Sequence, residues 1–231
     1  MNLDYVFDDI SDMQALWIHD STTDSSDFAT MADIILKLNM SLVSMSCGAT
    51  AEIWPWVEKK NIKIINRFDF VLDKDTDIID AMSELSKSVT GAFKNGAVGA
   101  QVFVHASNIV QFCDVVKSIR QDLFFDRIFS VAIDIGEMRG KNWADIFDAL
   151  NVITPDAILI TAHGDSFDAK SDFVGLIFDM LNHWNLNSDL HMWFGKNMLR
   201  VSQVLRLAKK IKPDLVKNMR VFTDVMPRVS E

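Results

Sequence analysis

Glycine, proline, cysteine and tyrosine are all scarce in this chain of 231 residues, which has 9 Gly, 4 Pro, 2 Cys and 1 Tyr. Each shortage excludes something. The two cysteines, Cys47 and Cys113, share no metal-type spacing, and two thiols in a chain this long make no disulfide framework, so both read as buried thiols. So few glycines leave little room for the glycine-rich turns that bring backbone amides up to a phosphate. No Gly-x-Gly-x-x-Gly turn follows the first apolar run, which removes the dinucleotide-binding fingerprint. No apolar run approaches the roughly 20 residues of a membrane span. The opening MNLDYVFDDISDMQ is acidic where a secretory signal would be basic, so a cytoplasmic protein is expected. The formal net charge of −9 leaves no basic face for nucleic acid. The one concentrated basic stretch, Lys209-Lys210-Ile211-Lys212, reads as the solvated end of a helix, where cations suit the dipole.

What is present is the composition of a folded globular protein, 49% hydrophobic and 24% charged. Short apolar runs alternate with amphipathic stretches from end to end, the pattern of βαβ units. The runs are Leu16 to His19, Leu42 to Ser46, Ile62 to Asn66, Ala100 to His105, Phe129 to Asp134, Ala157 to Thr161, Leu190 to Phe194 and Arg220 to Thr223, eight in all. Eight parallel strands with intervening helices predict a (β/α)8 TIM barrel, a single α/β domain over residues 1–231, in preference to an open doubly wound sheet. After the eighth run VMPRVSE is too short for a regular final helix, and Asn2 to Met13 is the expected substitute across that gap.

In such barrels chemistry collects where the strands end. The runs end in His19-Asp20, Arg67-Phe68-Asp69, His105-Ala106-Ser107, Asp134 with Glu137 close behind, Thr161-Ala162-His163-Gly164-Asp165, Gly195-Lys196-Asn197 and Thr223-Asp224. Helix capping explains many Asp, Ser and Asn residues at such turns, but not three histidines on one rim. Three chemistries fit. A divalent metal could draw on His19, His105, His163, Asp20, Asp134 and Asp165, although no HxH or HxxxH spacing supports it. Lys196 could form a Schiff base. An acid/base pair could move a proton beside a carbonyl. The third uses the mixed charges best: Asp134 and His163 for proton transfer, His105 and Asp20 for orientation, Arg67 and Lys196 for an anionic substrate, with His19 beside them. Alternation along IKIINRFD also puts Lys63, Ile65 and Arg67 on one face, Lys63 escaping to solvent below the barrel.

The stretch AFKNGAVGAQVFVHAS, residues 92–107, with the later VAIDIGE, resembles the middle of the ribulose-phosphate-binding barrels. That superfamily holds orotidine-monophosphate decarboxylase, hexulose-phosphate synthase and ribulose-phosphate epimerase. The resemblance implies a compact barrel acting on a sugar phosphate. Two departures stand beside it. Where the decarboxylase and synthase carry Asp-x-Lys-x-x-Asp, this chain reads Asn66-Arg67-Phe68-Asp69. Where the superfamily grips phosphate with glycine-rich turns, this chain has Phe194-Gly195-Lys196-Asn197 and Thr223-Asp224-Val225-Met226. The expected function is a lyase or isomerase of a small anionic carbonyl compound. The alternative is a catalytically degenerate barrel used for binding or assembly. The apolar stretch Ile53-Trp54-Pro55-Trp56 on the second crossover helix points to a homodimer.

Overall fold

The computed structural model of the chain describes residues 13–19, 25–38, 40–72, 77–162 and 170–225. Eight strands lie in it: β1 (Gln14–Ile18), β2 (Leu42–Met45), β3 (Lys63–Phe70), β4 (Gly99–Val104), β5 (Ile128–Asp134), β6 (Ala157–Thr161), β7 (Asp189–Trp193) and β8 (Met219–Val225). All pair in parallel with their sequence neighbours. β8 pairs back onto β1, with Phe222 opposite Ala15 and Asp224 opposite Trp17, so the sheet closes into the expected barrel.

The helices alternate with the strands: α1 (Ser25–Leu38), α2 (Cys47–Val57), α3 (Ile78–Lys94), α4 (Ile109–Phe124), α5 (Trp143–Ile153), α6 (Lys170–His183), α7 (Met198–Ile211) and the single turn α8 (Pro213–Val216). β8 is the last described element. The expected covering segment Asn2 to Met13 lies, apart from Met13, outside the described residues.

Period-two alternation sends each strand's side chains to two different cores. Outward residues such as Leu16, Val43, Ile64, Val102, Val131 and Ile158 pack under the helices. Inward residues Ala15, Trp17, Leu42, Ile65, Ala132, Leu159 and Phe222 fill the barrel. That inner core is partly polar, for Ser44, Gln101 and Ser130 are fully buried in it, Ser44 donating to Gln101 Oε1 at 3.0 Å.

Two expectations need correcting. β3 does not stop at Asn66 but runs on to Phe70. Asn66 looked like a strand end because it is polar. Instead it is an outward strand residue whose buried amide donates to Met45 O and Ser46 O, tying β3 to the start of α2. Cys47 is half-buried as the first residue of α2, while Cys113 is buried as expected.

Candidate active site

The inward positions at the C-terminal ends of the strands build two neighbouring arrangements. The first lies over β1, β3, β7 and β8. Trp17 and Trp193 stack with ring centroids 4.2 Å apart and 11° between planes. Phe103 meets Trp17 edge-on. The guanidinium of Arg67 lies 4.2 Å over the Trp17 ring and donates to Ser44 O and Ile18 O. Arg67 thus braces the tops of β1 and β2 from β3. Asp224 accepts from Trp193 Nε1 at 2.6 Å and lies 3.2 Å from His19 Nε2. The latter is a close contact rather than an aligned hydrogen bond. Together these side chains close the barrel axis at its top.

The second arrangement lies over β3 to β6, around a cavity of about 570 Å³ lined by Asp69, His105, Ser107, Asp134, Glu137 and Thr161 among others. His105 stands just past β4 with its side chain 56% exposed, held from two sides. Nδ1 lies 2.7 Å from Ser107 Oγ, and Nε2 lies 3.5 Å from Glu137 Oε1. The other oxygen of Glu137 accepts from the backbone N–H of Ala106 at 2.9 Å. Glu137 is itself placed by Asp134, whose Oδ1 accepts from Gly136 N at 2.7 Å and so caps the 3-10 turn Ile135–Met138. With a proton on Nε2, the Nδ1 lone pair of His105 accepts from the backbone N–H of Ser107 at 3.3 Å and lies beside the Ser107 hydroxyl, for which Asn108 Oδ1 at 3.1 Å is a second acceptor. Nucleophile or relay, base and orienting acid follow one another in that order. The buried Thr161 Oγ1, in the same lining, has no partner among the described residues, which leaves a donor for an oxygen in the cavity.

Of the residues expected to form the site, His105 and Asp134 share this cavity. His19 and Arg67 belong to the first arrangement, and Lys196 is exposed in the turn after β7. Asp20, His163 and Asp165 lie outside the described residues, and with them the expected Asp134–His163 pair. No group of three or more His, Cys, Asp or Glu side chains is placed to hold a metal among the described residues.

Sequence reasoning placed Glu137 and Ser107 on the rim without giving either a role, and it missed the tryptophan stack. The signal for the stack was in the alternation, since Trp17 has the parity of His19, and Trp193 that of Asp189 and His191.

No family model and no curated protein matches the chain. Solved structures do. A Toxoplasma gondii ME49 protein assigned provisionally as a deoxyribose-phosphate aldolase superposes with a TM-score of 0.64 at 14% identity, covering 95% of this chain and 91% of that one. The deoxyribose phosphate aldolase of Aeropyrum pernix, a tetramer, gives 0.60 at 12%, covering 96% and 91%. A GH18 chitinase of Pseudoalteromonas aurantia gives 0.51 at 10%, covering 93% and 94%. Likenesses at these identities, spanning aldolase and chitinase, establish the (β/α)8 barrel as the architecture of this chain and leave the resemblance to ribulose-phosphate-binding barrels at the level of that shared fold.

Proposed function

We propose that this barrel is a lyase that breaks a carbon–carbon bond in a small hydroxylated carbonyl compound, a sugar phosphate, in the cavity over β3 to β6. The observation that carries the reading is the row Ser107–His105–Glu137 lining one cavity together with Thr161. In the cleavage direction the substrate's β-hydroxyl passes its proton to Ser107 Oγ while the Ser107 proton goes to His105 Nδ1. The Cα–Cβ bond breaks, releasing an aldehyde, and its electron pair moves into the carbonyl as an enolate. Thr161 Oγ donates to the enolate oxygen. The imidazolium, steadied by Glu137, returns a proton through Ser107 to Cα, completing the second product. Carboxylates at Asp69, Asp134 and Glu137 suit a ligand rich in hydroxyls. Lys196, exposed on the turn after β7 at the same end of the barrel, is the cation this reading assigns to the anionic end. The aldolase likenesses support the same class of reaction. A cytoplasmic homodimer, joined through the exposed Trp56 face, belongs to this reading.

One observation favours the alternative, a barrel that has kept the fold and lost the chemistry: the Trp17–Trp193 stack with Arg67 fills the axis where a substrate would otherwise enter. A single experiment separates the two. Short phosphorylated 3-hydroxy aldehydes and ketones are incubated with the protein and cleavage is followed by NMR. The lyase reading expects turnover that falls at least about a hundredfold in His105→Gln and in Thr161→Val, with little change in Tm. Absence of cleavage across the panel, or variants as active as the wild type, supports the degenerate barrel.

A further inference from the structure

A second cavity, larger than the one over β3 to β6, lies at the opposite mouth, where the strands begin. It encloses about 770 Å³ and is lined by Lys63, Arg120, Arg127, Asp189, His191 and Arg220 among others. These are not stray surface charges. Lys63 and Asp189 open β3 and β7, and Arg220 is the second residue of β8. All three have inward parity. His191 sits beside Arg220 in the register of β7 and β8.

The cations divide into two kinds. Arg120 is committed: it lies 3.5 Å from Asp156, donates to Ile153 O and Phe124 O, and covers the Phe129 ring at 5.0 Å. Arg127 donates to Ala97 O and covers Phe93 at 5.0 Å. Lys63 and Arg220 are different: neither forms an ion pair within 4.0 Å among the described residues, and Arg220 acts on the Asp189 carboxylate only from beyond that distance. Arg220 donates only to its neighbour's carbonyl, Met219 O. Beside it His191 is 4% exposed, and its Nδ1 has no hydrogen-bond partner among the described residues. A buried polar atom without a partner is rare and calls for a ligand or an ordered water.

We infer that this N-terminal mouth is a binding site for a phosphate monoester, its phosphate held between Lys63 and Arg220 with His191 as a neutral donor beneath. A guanidinium from β8 and an ammonium from β3 lining one cavity match a tetrahedral dianion. The space exceeds what bare phosphate fills and lies in the range of small-metabolite clefts. Asp189 and Asp156 line the rest of it, so the body of the ligand carries hydroxyls rather than a second phosphate. Catalysis in this fold belongs to the other end of the barrel. The site is therefore an effector or carrier site, and it stands or falls independently of the lyase reading.

The test is calorimetric titration of the full chain at constant ionic strength with inorganic phosphate, ribose 5-phosphate and unphosphorylated ribose. Ribose 5-phosphate binds, inorganic phosphate binds more weakly, and ribose does not bind. Lys63→Gln and Arg220→Gln each weaken ribose 5-phosphate binding at least about tenfold, as loss of a charge-assisted hydrogen bond does, while Lys87→Gln, on the exposed face of α3, leaves it unchanged. Should Arg220→Gln fail to fold, Lys63→Gln on an exposed side chain carries the same comparison. The ring nitrogen resonances of His191 in the wild type must also move on addition of the ester. Absence of binding shows a hydrated cavity only. Binding that survives Lys63→Gln and leaves the His191 resonances unmoved, or that depends on Lys87 instead, places the anion elsewhere. Either result overturns the proposal.

Discussion

His191 shows how much one residue can set against the fold that holds it. Burial first, and the nearby Arg220 second, push its imidazole down from the ordinary 6.5 to about 3. The folded chain therefore refuses a proton that the unfolded chain accepts between about pH 6.5 and 3. In that window the unfolded state binds more protons, so stability rises with pH and is lost as pH falls, by up to about 1.4 kcal/mol per unit. Urea unfolding at pH 7, 5.5 and 4.5 should show this loss in the wild type. His191→Gln, which cannot titrate, should flatten the dependence between pH 6.5 and 4.5 even if it costs stability at pH 7. Equal slopes in the two proteins would show that other groups drive acid unfolding. Nothing in the sequence marked His191, because the histidines were sorted by whether they ended an apolar run, and this one sits inside LHMWF. Only its shared parity with Trp193 placed it indoors. His105, by contrast, was legible because it ends its run, and Glu137 was visible close behind Asp134. That the two meet across β4 and β5 depends on loop geometry with no sequence signal.

At the scale of elements, α2 carries both a packing constraint and an exposed face. Trp54 lies against Gly96, where a Cβ would fall inside the indole ring, and Gly96 holds φ at +100°. Gly96→Ala therefore meets a steric and a backbone penalty together. It should destabilise by about 2 kcal/mol or more and change the fluorescence of the folded protein. A loss of less than about 0.5 kcal/mol would show that Trp54 swings aside freely. On the other face Trp56 is 57% exposed. The homodimer reading expects light scattering at tens of micromolar to give twice the chain mass, and Trp56→Glu to give a monomer with the fold intact; a wild-type monomer rejects it. Pro55 sits inside this helix and cannot donate to Ala51 O. It lies in the last full turn of α2, just before the 3-10 turn Glu58–Lys60. Helix and tryptophans were readable from sequence. Which tryptophan packs and which faces out was not, since that depends on Gly96, 42 residues after Trp54 in the chain.

For the whole molecule, eight apolar runs at regular spacing were enough to give the barrel, because a parallel sheet buried on both faces writes itself as short apolar strands. What the runs do not carry is how the rim divides. The axis is filled by Trp17, Trp193 and Arg67, and the open space is displaced to the side of β3 to β6. The proposed chemistry depends on that displaced cavity being a working site. Its most direct test needs only half a reaction: a panel of short phosphorylated aldehydes and ketones is incubated in D2O with the wild-type protein and with His105→Gln, and deuterium at the carbon next to the carbonyl is measured by NMR. The account predicts that the wild type exchanges that proton for deuterium in at least one compound, and that His105→Gln does so at least about a hundredfold more slowly. Exchange at equal rates in the two proteins, or at the solvent rate in both, would contradict it.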